Sequence, residues 1–254
     1  MRDSPALHTR LRHVPAITVA RAQEASHPAD WLARGLPAAR LHELRAAAPE
    51  DAAVAAGFGV ALALAGEATP LLWLRTEEAQ RRAGRLHAGG LVELGLDPAA
   101  LVMAVVADAP ALLRAAADAA RCPGLGMLVV EAWGPAPGLD LTATRRLQLA
   151  AESSGAVVLL LRVAGGAPAP SAAATRWGVA ACPSTALAAD APGRPAFHLE
   201  LERRRGGPAG QRWRVEWDRD DKKLHAAPLP GAGLSLAADR AAARDAPAPL
   251  RRLG

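Results

Sequence analysis

Gly126–Val163 reads GMLVVEAWG, PAPGLD, LTATRRLQLAAESSG and AVVLLLRV in succession. Met127–Val130 is a short apolar run bounded by glycine and closed by Glu131, the pattern of a strand buried on both faces. Leu141, Leu147 and Leu149–Ala151 follow at roughly helical spacing, with Thr142, Arg145, Arg146 and Glu152 toward water. Gly155 stands where a helix C-cap glycine belongs, and Ala156–Val163 is a second continuous apolar strand. Strand, helix and strand with so short a return predict a right-handed βαβ unit and a parallel sheet.

An acidic residue closing such a strand also occupies a Walker B-like position, which asks for a phosphate loop elsewhere. The chain has 30 basic residues, but its only lysines are Lys222 and Lys223. No Gly-Lys pair exists, so the lysine and hydroxyl of a standard P-loop are absent.

Working outward, the same alternation predicts strands at Leu41–Leu44, Pro70–Thr76 and Leu101–Val106. The intervening helices fall at Ala52–Ala65, Glu77–Ala88 and Pro110–Arg121. Pro49-Glu50-Asp51 opens the first of these, since proline suits the first turn and acids suit its positive end. Gly57 and Gly59 weaken that helix unless they allow close packing on a sheet, and Asp108 is placed to cap the third. The expected fold is α/β: a doubly wound, mainly parallel core sheet over 41–163 with helices on both faces and no intact P-loop. Beyond it, SAAATRWGVAACPS reads as a helical turn or loop leading into a strand. Phe197–Arg203 and Gln211–Asp218 alternate apolar and polar as a β-hairpin around the loop Arg204–Gly210. The expected organisation is an N-terminal arm over 1–30, one domain over 31–225 with C-terminal strands in 175–218, and a disordered tail over 226–254.

Composition narrows the class. In 254 residues the apolar fraction is 51% but aromatics are only 3%, and the net charge is +5. The pI of about 10.4 therefore reflects arginine in place of lysine, which permits nucleic-acid contact without demanding it. Cys122 and Cys182 lack CxxC spacing and read as buried thiols of a reduced protein. No apolar run reaches the roughly 18 residues of a membrane span, and the N-terminus has no signal-peptide core. The expectation is a cytoplasmic protein.

Few residues offer chemistry. Glu131 reads as a vestigial carboxylate or a strand-end cap. His42-Glu43 lacks the second histidine of H-E-x-x-H, because position 46 is alanine, and Ser153-Ser154-Gly155 lacks the G-x-S-x-G elbow. The remaining histidines read as solvated, and no catalytic set, metal or cofactor is expected. Between Leu201 and Lys223 eight basic residues stand against five acids, with Trp213 and Trp217 among them. Arg203, Arg204, Arg205, Arg212 and Arg214, with Arg176 and Trp177, are the candidate contacts to DNA or a partner. Against this, Trp213, Val215 and Trp217 share one strand face and could pack inward.

Several phrases accumulate: LHEL, PLLWLR, GLDPAALV, LVVEAWG, LDLTATRRLQLAAESSG, PSAAATRWGV, DAPGRPAFHLELERRRGG and WRVEWD. Together, over Leu36–Asp218, they resemble the ImuA family, RecA/SulA-like accessory proteins of damage-induced mutagenesis in bacteria. The resemblance implies a RecA-like core and a place in the SOS response. It implies work beside ImuB, an inactive member of the Y-family polymerases, and an error-prone polymerase of the replicative class; single-stranded DNA is a further candidate partner from the basic, tryptophan-bearing hairpin. Against RecA itself, Ala46–Ala53 (AAAPEDAA) stands at the phosphate loop with neither its glycines nor its lysine. Nucleotide hydrolysis is therefore not carried over. The leading expectation is a non-catalytic assembly factor for translesion synthesis. The alternatives are an atypical RecA-like ATPase using Glu131 and a SulA-like inhibitor of cell division.

Overall fold

A computed structural model describes residues 28–227. Most of the expected N-terminal arm (1–27) and C-terminal tail (228–254) lies outside the described residues. Among the described residues, nine strands form one sheet: β1 (Arg40–Ala46), β2 (Leu71–Thr76), β3 (Leu101–Val106), β4 (Met127–Trp133), β5 (Val157–Val163), β6 (Thr175–Ala181), β7 (Ala196–Arg204), β8 (Arg212–Asp218) and β9 (Lys223–Ala227). Their spatial order is β3-β2-β4-β5-β1-β6-β7-β8-β9. The first six are parallel, and β7, β8 and β9 continue the sheet as an antiparallel meander.

Among the described residues, six α-helices cover the sheet: α1 (Pro28–Arg34), α2 (Ala52–Ala65), α3 (Glu77–Ala83), α4 (Ala88–Glu93), α5 (Ala109–Ala119) and α6 (Leu141–Ser154). The unit β4-α6-β5 forms as its sequence reads, with the two strands side by side in parallel. Asp140 caps α6 by accepting the Ala143 amide, and Gly155 ends it at φ +83°, a left-handed conformation suited to glycine. Buried Gln148 on α6 accepts the Leu41 amide at 2.8 Å, fixing the helix to β1.

Each face of the sheet has its own core. Leu44, Trp73, Val129, Leu159 and Leu161 pack under α1 and α2, while Leu74, Val130, Val158 and Leu160 pack under α5 and α6. Alternation along fully buried strands separates the two sets. Gly59 serves the close approach of α2: a Cβ there would lie 3.2 Å from Leu159 Cδ2. Gly126 is tighter, since a Cβ would run into the backbone of Ala68 and Thr69.

Some boundaries differ from the sequence reading. The helix expected over Glu77–Ala88 ends at Ala83, because Gly84 takes φ +73° and a second helix starts at Ala88. Half of the stretch read as a helical turn or loop before a strand is itself strand: Thr175–Ala181 completes the open side of β1. Ladder pairing with a core strand outweighs the weak helical spacing of its alanines. Lys223–Ala227 adds a third strand to the expected hairpin, anchored by buried Leu224. Helix α1 begins inside the span expected to be a loose arm, and its Trp31 and Leu32 are buried. Both thiols depart from their expected burial: Cys122 is exposed in the turn after α5 and Cys182 is half-buried after β6.

Candidate functional site

In a doubly wound parallel sheet, ligands bind beyond the carboxyl ends of the strands. A hollow of about 430 Å³ lies there, between the loop after β1, the start of α2 and the α3–α4 connection. Glu131 ends in it from β4 and Arg75 from β2, at paired register positions. Glu131 Oε1 pairs with the Arg75 guanidinium at 3.0 Å and accepts the Trp133 indole N–H at 2.6 Å. Its Oε2 accepts the Trp73 indole N–H at 2.7 Å. Arg75 further donates to the carbonyls of Gly84 and Ala79, and its Nε is buried without a partner. Both carboxylate oxygens are thus committed to protein donors.

The segment at the phosphate-loop position is equally committed. Pro49–Asp51 forms a single 3-10 turn into α2, and Glu50 and Asp51 put two acids at the positive end of the helix. Asp51 Oδ1 accepts the Ala181 amide at 2.9 Å. Neither carboxylate caps the helix amides, but two negative charges beside that terminus oppose an anion there. On the rim, Arg82 pairs with Glu78 at 2.7 Å, and Arg85 and His87 are exposed.

On the opposite face stands a second carboxylate centre that sequence reasoning treated only as a failed zinc motif. Glu43, fully buried, accepts Arg176 Nε at 2.7 Å and the Ser171 hydroxyl at 2.9 Å. Arg162 approaches its other oxygen to 3.8 Å, and that oxygen has no hydrogen bond. Neighbouring His42 is also fully buried. Its ring bridges the Thr175 hydroxyl at 2.8 Å and the Pro37 carbonyl at 3.0 Å, and burial pulls its pKa down to about 4. Two adjacent polar residues inside the apolar frame of β1 were the available signal.

The expected DNA or partner contacts are scattered across these networks. Arg176 is buried on Glu43, and Trp177 is buried, stacking tilted on Trp213 at 5.6 Å and edge-on to Trp31 at 6.3 Å. Arg203 donates to the Ser171 carbonyl and Arg205 to that of Ala172, so both pin the segment leading into β6. Arg204 lies 4.9 Å over the Trp31 ring. Arg214 pairs with Glu216 and donates to the Pro183 carbonyl. Arg212 is the exposed one on its strand, 72% accessible while paired with Glu200. Trp217 is buried and donates to the Leu94 carbonyl. Trp213, Val215 and Trp217 thus face inward.

At the β8–β9 turn, ligand atoms of Asp218, Asp221 and His225 lie within 4.8 Å of one another. Asp218 already accepts the Asp220 and Asp221 amides and pairs with Arg194. The Asp221 amide, foremost among these, holds its carboxyl below the usual carboxylate range. No helix among the described residues is long and apolar enough to cross a membrane.

No protein-family model matches the sequence. Protein ImuA of Caulobacter vibrioides, in strain NA1000 / CB15N and equally in strain ATCC 19089 / CIP 103742 / CB 15, is 38% identical over 186 residues. The match covers 69% of this chain and 74% of that protein. Among solved structures the RadB recombinase superposes with a TM-score of 0.50 at 13% identity, over 75% of this chain and 92% of that one. That likeness gives the fold: a RecA-like α/β sheet.

Proposed function

The chain belongs to the ImuA family, and from that premise we propose that it serves damage-induced mutagenesis as a non-catalytic assembly factor. In this reading its RecA-like sheet is a scaffold that supports error-prone translesion synthesis. Its partners are an ImuB-type protein and an error-prone polymerase of the replicative class.

The observation that carries the non-catalytic reading is the state of the Glu131 carboxylate. Three protein donors occupy the oxygens that would otherwise orient a magnesium ion or a water. The sequence supplies no lysine near the hollow, and two acids occupy the helix end that would cradle phosphate. A site so filled supports the fold rather than a reaction.

Calorimetric titration with magnesium-ATP tests this. The expected result is no saturable heat at millimolar nucleotide. Magnesium-dependent binding that Glu131→Gln abolishes would instead make the chain an atypical RecA-like ATPase.

A further inference from the structure

We propose that the cleft between α5 and α6, on the opposite face from Glu131, docks an acidic amphipathic helix of a partner protein. The cleft has a shape, an apolar floor and an unbalanced charge. A hollow of about 300 Å³ between the helices is lined by Leu113, Ala117 and Leu147, with Arg114 and Arg146 among its polar walls. A second, of about 190 Å³, lies beside it, lined by Leu149, Ala150 and Ser153 and again by Arg146.

Thr142, Arg146, Leu149 and Ser153 recur at i, i+4, i+7 and i+11, so they form one stripe along α6. Leu149 sits in the middle of that stripe and is 65% exposed, while Leu147, Ala150 and Ala151 bury the inner face. The helix spans about 20 Å, enough to seat several turns of a partner helix in its groove.

The charge identifies the partner. Among the described residues, Arg114, Arg145 and Arg146 form no ion pair or hydrogen bond, and all three are exposed. Of the nearby acids, Asp118 pairs with Arg121, while Asp140, in the wall of the first hollow, and Glu152 keep their charge and are hydrogen-bonded to the neutral Ala143 amide and Gln148 side chain. Arg114, Arg145 and Arg146 outnumber Asp140 and Glu152, so the cleft keeps an excess of positive charge around its apolar hollows, complementary to a helix with leucines on one stripe and carboxylates on its flanks. Nucleic acid fits less well, because no aromatic side chain lines either hollow to stack a base.

A fluorescein-labelled amphipathic helix with a leucine stripe flanked by glutamates is the probe, read by anisotropy against the full chain. Saturable, salt-sensitive binding is expected. It should weaken about tenfold or more in Arg114→Glu/Arg146→Glu and in Leu149→Asp. Both variants change exposed residues, and unchanged circular dichroism establishes their folding. A lysine-flanked version of the peptide should prefer the charge-reversed variant over the wild type. Absence of saturable binding, or equal binding by the folded variants, overturns the proposal. So does tighter binding of a single-stranded oligonucleotide to the same arginines.

Discussion

Arg75 and Glu131 stand at the same register position on neighbouring strands and form a 3.0 Å ion pair whose side chains are 1% and 5% exposed. The pair lies where a parallel sheet would offer a carboxylate to a ligand, and it turns that carboxylate inward instead. In the proposed non-catalytic reading, stability and nucleotide chemistry are opposed uses of one residue.

Removing one member of such a pair strands the other. Glu131→Ala should lower stability by about 3–5 kcal/mol, leaving the Arg75 guanidinium and two indole N–H groups without their acceptor. Urea unfolding measures it. The exposed Arg82–Glu78 pair is the control, and Glu78→Ala should cost about 0.5 kcal/mol or less.

His42 sets a pH dependence. Burial lowers its pKa to about 4 from 6.5, so the unfolded chain takes up a proton before the folded one does. The stability it contributes is complete above about pH 6.5 and is lost as the pH falls toward 4. The loss amounts to about 3 kcal/mol. Urea midpoints measured across that window should fall with acidification, and His42→Gln should remove that component.

The arginines read from the sequence as one contact surface should separate by mutation. Arg176→Ala should destabilise the fold by about 3–5 kcal/mol, because Glu43 is left buried beside an ion pair of 3.8 Å. Arg212→Ala should leave stability within about 0.5 kcal/mol. If β8 meets single-stranded DNA, Arg212→Ala should also reduce the salt dependence of binding by about one unit. Equal destabilisation by both substitutions would contradict the assignment.

Strand β3 is an edge of the sheet, and its sequence LVMAVV carries no charge. Val102 is 56% exposed there. Unpaired backbone groups beside apolar side chains favour strand-to-strand association. Val102→Lys should reduce concentration-dependent light scattering without changing the thermal midpoint by more than a few degrees.

How much was legible follows from what each residue reports locally. Met127–Val130, Leu141–Ser154 and Val157–Val163 carried period, caps and glycine punctuation together, so the parallel core could be read. Thr175–Ala181 could not, because its alanines suit several conformations and the partner strand β1 is distant in sequence. Lys223–Ala227 offers one apolar anchor, too little to announce a strand. The character of Glu131 was visible as a strand-end carboxylate, but its donors come from Trp73, Arg75 and Trp133, whose convergence depends on register. The same applies to Glu43, whose partners lie on β5, on β6 and in the segment before β6. Arginine and tryptophan interleaved in the hairpin look alike whether they face solvent or the core, and only the sheet decides between them.

The measurement closest to the central claim is co-purification of the full chain with the ImuB-type protein of the same genome, followed by size exclusion. The account predicts a stable complex that survives moderate salt, forms without nucleotide and is unchanged by added magnesium-ATP. Two folded proteins that elute separately under all these conditions, or a complex that forms only with ATP, would contradict it.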